Sequence, residues 1–262
     1  MMRSTSFHRL LMCVLAFVAT QVTAAVPPAP KLPADAYFLM DATTGQVLVD
    51  HNGDLSLPPA SLTKIMTSFV LAEEVDAGRA SLDDIIKVSR NAWSQNPTFK
   101  GSSLMWIEPG KPVSLADLER GVVISSGNDA SVAVAEHLAG TESSFVDVMN
   151  QLAAELSLDN TVYRNPHGLP HPDHRTTARD LATLSVALIN GHPEHYKIHK
   201  EQSFTYNGIK QYNRNSLLRS DATVDGLKTG YTSEAGYGLV ASAQREDMRL
   251  VSVVLGSASK RT

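Results

Sequence analysis

Pro59-Ala60-Ser61-Leu62-Thr63-Lys64-Ile65-Met66-Thr67-Ser68-Phe69-Val70-Leu71-Ala72-Glu73-Glu74-Val75-Asp76-Ala77-Gly78 reads as a helix from Ser61 towards Ala77 with apolar residues most of the way round. Leu62, Ile65, Met66, Phe69, Val70, Ala72 and Val75 leave no broad polar face, so this helix is expected inside the protein. Gly78 ends it. A buried helix needs cover on every side, and the flanking sequence supplies it. Upstream, Tyr37 to Met40 and Gln46 to Val49 enclose Asp41-Ala42-Thr43-Thr44-Gly45, a β-hairpin pattern. Downstream, Ser114 with Asp117 forms a capping box for a helix to about Ile124. A polar turn leads to an apolar helix over Ala130 to Ala139, closed by Gly140. Helical spacing returns at Phe145, Val148, Met149, Leu152 and Leu156, and again at Leu181, Leu184 and Leu188 behind a Thr177/Asp180 cap. Pro- and His-rich residues 164–175 read as loop. Tyr237 to Ala243 and Arg249 to Leu255, around Gln244-Arg245-Glu246-Asp247, make a second hairpin. Strands at both ends and helices between them predict an α/β protein of the α+β kind, an antiparallel sheet from both termini with a helical cluster against it.

The chain has 262 residues, 43% hydrophobic and 19% charged, which is enough for one well-buried core. Residues 1–24 read as a secretory signal peptide: Arg3 and Arg9, an apolar Leu10 to Ala19, then small residues at Val22-Thr23-Ala24. The apolar run is too short for a lasting bilayer span. Residues 25–35, with four prolines, form an extended lead-in, and 36–262 a single domain. The only cysteine, Cys13, lies in the signal, so the exported chain has no disulfide and no thiolate metal site. Losing Arg3 and Arg9 takes the formal charge from −4 to −6. No basic patch remains to hold nucleic acid.

Three short motifs carry chemistry. In Ser61-Leu62-Thr63-Lys64 the i, i+3 spacing puts lysine one helical turn from serine. Serine needs such a base to become a nucleophile. The helix N-terminus offers N–H groups and positive dipole to an oxyanion, and burial and like charge make the lysine a usable base. Alone the motif means little: about one Ser-x-x-Lys per chain of this size arises by chance. Ser257-Ala258-Ser259-Lys260 reads as such an accident, and Ser61 could equally be an ordinary N-cap. Ser126-Gly127-Asn128 lies on a tight turn between helices, where a hydroxyl could relay a proton and an amide could hold a peptide bond. Lys228-Thr229-Gly230 precedes the last hairpin, on an expected edge strand. There Lys and Thr suit a carboxylate, and Gly lets a ligand approach the backbone.

In this order and setting, the three motifs resemble those of β-lactamases and penicillin-binding proteins. Pro59-Ala60-Ser61-Leu62-Thr63-Lys64-Ile65-Met66, Ser126-Gly127-Asn128-Asp129-Ala130, Asn165-Pro166-His167-Gly168-Leu169 and Asp225-Gly226-Leu227-Lys228-Thr229-Gly230 are similar to the serine D-alanyl-D-alanine carboxypeptidases, the low-molecular-weight penicillin-binding proteins. The resemblance implies that Ser61 attacks the bond between the terminal D-alanines of a peptidoglycan stem pentapeptide, with Lys64 as base and Ser126 relaying the proton. It implies that Asn128 orients the substrate amide, and that Lys228, Thr229 and Arg214 hold the terminal carboxylate. Backbone N–H groups of Ser61 and of Tyr231, after Gly230, would hold the oxyanion. β-Lactams would be inhibitors, no metal or organic cofactor would be needed, and the enzyme would work in the periplasm or on the outer side of the inner membrane.

The sequence departs from that family twice. Tyr231 stands where relatives often carry His, and the family's further helix, small β-rich domain and membrane-binding tail have no counterpart before Thr262. The expectation is a truncated catalytic domain with one sheet face uncovered and no stable membrane anchor. Three rivals compete with this reading. A class A β-lactamase would need a Glu-x-x-x-Asn loop where Asn165-Pro166-His167-Gly168-Leu169 stands. A zinc peptidase would draw on His167, His171 and His174 with Asp173, or on His192, His195 and His199, but neither set forms a His-Glu-x-x-His helix. The third is an inactive wall-binding protein.

Overall fold

A computed structural model describes residues 28–261. The signal-peptide reading of residues 1–24, Cys13 included, lies outside the described residues. Lys31–Thr262 forms one compact unit. In chain order its strands are β1 (Ala36–Asp41), β2 (Val47–His51), β3 (Ile85–Lys87), β4 (Pro112–Ser114), β5 (Ser203–Tyr206), β6 (Ile209–Tyr212), β7 (Val224–Thr232), β8 (Gly236–Arg245) and β9 (Met248–Ser257). Its helices are α1 (Lys64–Asp76), α2 (Leu115–Arg120), α3 (Asn128–Ala139), α4 (Glu142–Glu155), α5 (Ala178–Gly191), α6 (Pro193–Tyr196) and α7 (Leu217–Ser220).

The main sheet has the order β2-β1-β9-β8-β7, with every neighbouring pair antiparallel. Strands from the two ends meet where β1 pairs with β9, from Ala36 opposite Leu255 to Asp41 opposite Leu250. The first hairpin turns on Asp41, whose carboxylate accepts the Thr43 N–H and the Thr44 hydroxyl, each at 2.8 Å. On one face Phe38, Val240, Val251, Val253 and Leu255 are buried, and α5 packs there against β1 and β9. On the other, Leu39, Leu239, Leu250 and Val254 are only half-buried. The strongly apolar β9 therefore alternates in burial, although its sequence reads as covered on both sides.

Helix α1 runs through the middle, in contact with α3, α4 and α5, and every residue from Lys64 to Ala72 is buried. All the helices read from periodicity are present, and their ends are informative. Residues 60–63 form a 3₁₀ turn ahead of α1 rather than its first α-turn. The helix capped by Ser114, whose Oγ accepts the Asp117 N–H at 3.1 Å, gives way after Arg120 to a π-helical turn over Gly121–Ser125. Short β3–β4 and β5–β6 pairs lack a long enough pattern to be seen in the sequence.

Candidate active site

Ser61 lies on the 3₁₀ turn, and no side chain caps α1. The N-cap reading of Ser61 therefore fails, because its hydroxyl is turned to Lys64, whose Nζ is 3.2 Å away. A loop and a strand press this turn into place. Gly168, at φ +86°, lies so close that a Cβ there would collide with the Ala60 carbonyl. Thr63 donates from Oγ1 to the Ala60 carbonyl at 2.8 Å or meets His174 Nε2 at 2.9 Å. From the sheet side, a Cβ on Gly230 would stand 3.1 Å from Pro59 O and from Leu62 Cγ. The sequence suggested that Gly230 makes room for a ligand; its missing side chain makes room for the nucleophile's own turn.

Lys64 is 1% exposed and has three partners: Ser61 Oγ at 3.2 Å, Asn128 Oδ1 at 2.7 Å and the His167 carbonyl at 2.6 Å. This set fits a neutral amine. Two hydrogens go to Asn128 and His167, and the lone pair faces the Ser61 hydroxyl hydrogen. Burial pushes the Lys64 pKa well below its usual value; the charges of Lys228 and Arg214 push the same way, and Asp129 opposes them.

Ser126 ends the π-helical turn in the left-handed region, at φ +62°. Such a turn and such a φ are both costly for serine and cluster at working sites. They bring Ser126 Oγ to 2.9 Å from Lys228 Nζ. Lys228 also donates to the Thr229 carbonyl at 3.0 Å, and burial, then the nearby Arg214, lower its pKa to about 7. Its strand, β7, is the edge of the sheet, as the sequence suggested. Arg214 is held at the rim by its Nε donating to the Ser125 carbonyl at 3.2 Å.

Ser61, Ser126, Asn128, Arg214, Thr229, Gly230 and Tyr231 line one cleft of about 730 Å³, with Lys64 and Lys228 buried beneath it. Tyr231 is exposed and its ring lies 4.4 Å from that of Tyr237. All nine residues singled out from sequence thus meet in one place. Ser257, Ser259 and Lys260 line the same cleft, but Ser257 closes β9 instead of opening a helix. Among the described residues, no carboxylate lines the cleft. The histidines of the 164–175 loop do not converge. His167 Nδ1 accepts the Leu169 N–H, His171 Nδ1 accepts the Asp173 N–H, and His174 turns to Thr63.

One site residue escaped notice although it adjoins a motif. Asp129, fully buried, accepts N–H bonds from Met105 (2.8 Å), Trp106 (2.8 Å), Ile107 (3.2 Å) and Ala130 (2.9 Å). Burial raises its pKa, and these bonds oppose the rise. It ties the 105–107 segment to the Ser126 turn and places a negative charge among the cations. Only its position after Asn128 could have signalled this.

A family model described as D-alanyl-D-alanine carboxypeptidase (peptidase S11) matches residues 21–259. The D-alanyl-D-alanine carboxypeptidase DacC of Escherichia coli is 50% identical over 248 residues, 94% of this chain and 61% of that protein. The chain thus spans less than two thirds of that relative's length. A D-alanyl-D-alanine endopeptidase of Pseudomonas aeruginosa is 31% identical over 97% of this chain and 84% of its own. The crystal structure of penicillin binding protein 5 from Haemophilus influenzae superposes with a TM-score of 0.87 at 44% identity, covering 90% of this chain and 69% of that one. Penicillin-binding protein D2 of Listeria monocytogenes in its cefotaxime-bound form gives 0.80 at 32% identity, over 89% and 93%. With the cleft built as it is, these matches place the chain in the D-alanyl-D-alanine carboxypeptidase family of penicillin-binding folds.

Proposed function

We propose that the chain is an exported serine-type carboxypeptidase that removes the last D-alanine from peptidoglycan stem peptides ending in D-Ala-D-Ala, and that β-lactams acylate the same serine. The observation that carries this reading is the Lys64 amine, buried without a counter-ion in contact and with its third partner the Ser61 hydroxyl. As Ser61 Oγ bonds to the scissile carbonyl carbon, its proton passes to the Lys64 lone pair. Backbone N–H groups of Ser61 and Tyr231 take the oxyanion. Collapse breaks the C–N bond, and the proton reaches the leaving amine through Ser126 Oγ. Water then attacks the acyl-enzyme, returning Ser61 and releasing the shortened peptide.

Asn128 Oδ1 accepts from Lys64, so the Asn128 amide hydrogens remain for the substrate carbonyl. An edge strand such as β7 can pair with an extended peptide, and Thr229 lies on it. Lys228 and Arg214 suit the terminal carboxylate. Its negative charge raises the Lys228 pKa from about 7, so binding itself favours the ammonium form. The signal reading of residues 1–24 supports export to the periplasm. The test is labelling with a fluorescent penicillin followed by intact-mass and peptide analysis. One adduct on the peptide holding Ser61 is expected, together with release of D-alanine from a D-Ala-D-Ala peptide. An adduct that survives Ser61→Ala would move the nucleophile elsewhere.

A further inference from the structure

Beneath the cleft floor the segments bearing Lys64 and Lys228 meet at one imidazole, and the backbone of the same residue meets the Arg214 loop. His199 is fully buried, in the 3₁₀ turn Lys197–Lys200 that follows α6. Its Nδ1 lies 3.4 Å from the carbonyl of Leu227, the residue before Lys228. Its Nε2 lies 3.5 Å from Ser68 Oγ, one turn along α1 from Lys64. Its backbone carbonyl accepts the Asn213 side-chain amide at 3.3 Å, beside Arg214. A carbonyl can only accept, so the Nδ1 hydrogen points to Leu227 and Nε2 accepts from the Ser68 hydroxyl. The ring is stacked on Tyr196 at 5.6 Å, and the Tyr196 hydroxyl donates to Asp225 at 2.6 Å. Burial holds the His199 pKa down at about 4; the Leu227 carbonyl resists and the charge of Lys228 assists. The ring therefore adds no further positive charge beside Lys228 and Arg214.

We propose that His199 is a positioning residue for acyl transfer, setting the spacing between the Lys64 helix, the Lys228 strand and the Arg214 loop. The inference rests on the acyl-transfer reading above. A core histidine with no such role would matter only for stability. Misplacing Lys228, through the lost contact to Leu227, should instead show in how the enzyme treats a free carboxylate. His199→Phe keeps the ring stack and removes both polar contacts, and His199→Asn restores a donor near the Nδ1 position.

The experiment measures thermal melting, penicillin acylation rate, and turnover of paired D-Ala-D-Ala peptides with free or amidated C-termini. For His199→Phe we expect a cooperative melt, acylation about tenfold slower, and a preference for the free carboxylate weakened by about tenfold, as for groups displaced by a fraction of an ångström. His199→Asn should recover part of the preference. If His199→Phe does not fold, the same preference is read on His199→Asn, which should fall between wild type and an amide-indifferent enzyme. Wild-type rate and preference in a folded variant, or equal loss on both peptides, would overturn the positioning role and leave the enzymatic reading intact. Failure of the wild type itself to be labelled at Ser61 would remove both.

Discussion

Two groups of charged side chains reach from the surface into this fold, and they are built on opposite plans. In the cleft, Lys64, Lys228 and Arg214 bring like charges together, with Asp129 as the buried carboxylate nearby. Behind it, acids and histidines alternate: Glu73 to His192 Nε2 (3.2 Å), His192 Nδ1 to Asp76 (2.6 Å), Asp76 to His195 Nε2 (3.6 Å), His195 Nδ1 to Glu119 (2.5 Å). In the first group burial and repulsion drive both lysines toward the neutral form. In the second, burial of His195 is outweighed by its bond to Glu119 and the charges of Glu119, Asp76 and Glu194, and its pKa rises. Like charges gathered under a cleft prepare groups for chemistry, whereas paired opposite charges hold elements together. Of the three histidines His192, His195 and His199, the first two thus turn their ring nitrogens to carboxylates of this ladder.

The sharpest break in that contrast is expected at Lys64. Lys64→Arg places there a permanent cation that cannot readily shed its proton. Acylation by penicillin should fall by about two to four orders of magnitude, the usual worth of a positioned base. In the wild type the neutral amine is the working form, so acylation should decline as pH falls through the lowered Lys64 pKa. Near-normal labelling of the arginine variant would show that the proton goes elsewhere.

A smaller effect belongs to Lys228. Lys228→Ala should weaken peptides with a free C-terminal carboxylate by about ten- to a hundredfold, the worth of a charge-assisted hydrogen bond, and amidated ones much less. In the wild type the ammonium form binds, so affinity for the free acid should drop as pH rises past about 7 while the amidated peptide stays level. Equal pH profiles for the two peptides would assign Lys228 to proton transfer instead.

How much of this was legible in advance depends on the range of the signal. The sheet's terminal hairpins, the buried α1 and the Ser114 and Thr177 caps follow from local periodicity and short polar patterns, and all are present. Seven of the nine cleft residues could be assembled because their motifs occur in order, and Arg214 and Tyr231 came from the family resemblance. What was lost depends on contacts between distant segments. Nothing near Ser61 announces that Gly168 and Gly230 shape its turn. A break of α2 into a π-helical turn at Gly121–Ser125 leaves the apolar pattern of Val122, Val123 and Ile124 unchanged. Asp76 and Glu119 read as ordinary polar residues, and His199 as one of three possible zinc ligands, until α1, α2 and the turn after α6 come together.

The weakest effect on acylation is expected where the contrast predicts pure structure. Glu119 is 1% exposed, and its Oε2 has no hydrogen-bond partner among the described residues, so nearly all its compensation comes from His195. Glu119→Gln removes the negative charge and leaves the His195 ring facing a neutral amide. Breaking a buried pair of this kind costs about 3–5 kcal/mol, on the order of 10 °C in Tm for a chain of this length. The folded-state pKa of His195 is raised, so the pair's contribution is complete below the unfolded pKa and disappears as pH rises through the folded value. Wild-type Tm should therefore fall across the neutral to mildly alkaline range, and the Glu119→Gln variant should start lower and fall less. Its acylation rate at a temperature where it is folded should stay within about twofold of wild type, because surface and core changes away from the cleft act on stability. A flat wild-type Tm profile would show that His195 does not carry its proton into the folded state. A large loss of acylation in the folded variant would mean that the α2 end of the ladder sets the Ser126 turn, six residues along from Arg120 by way of the π-helical segment, and that the two charge groups work as one.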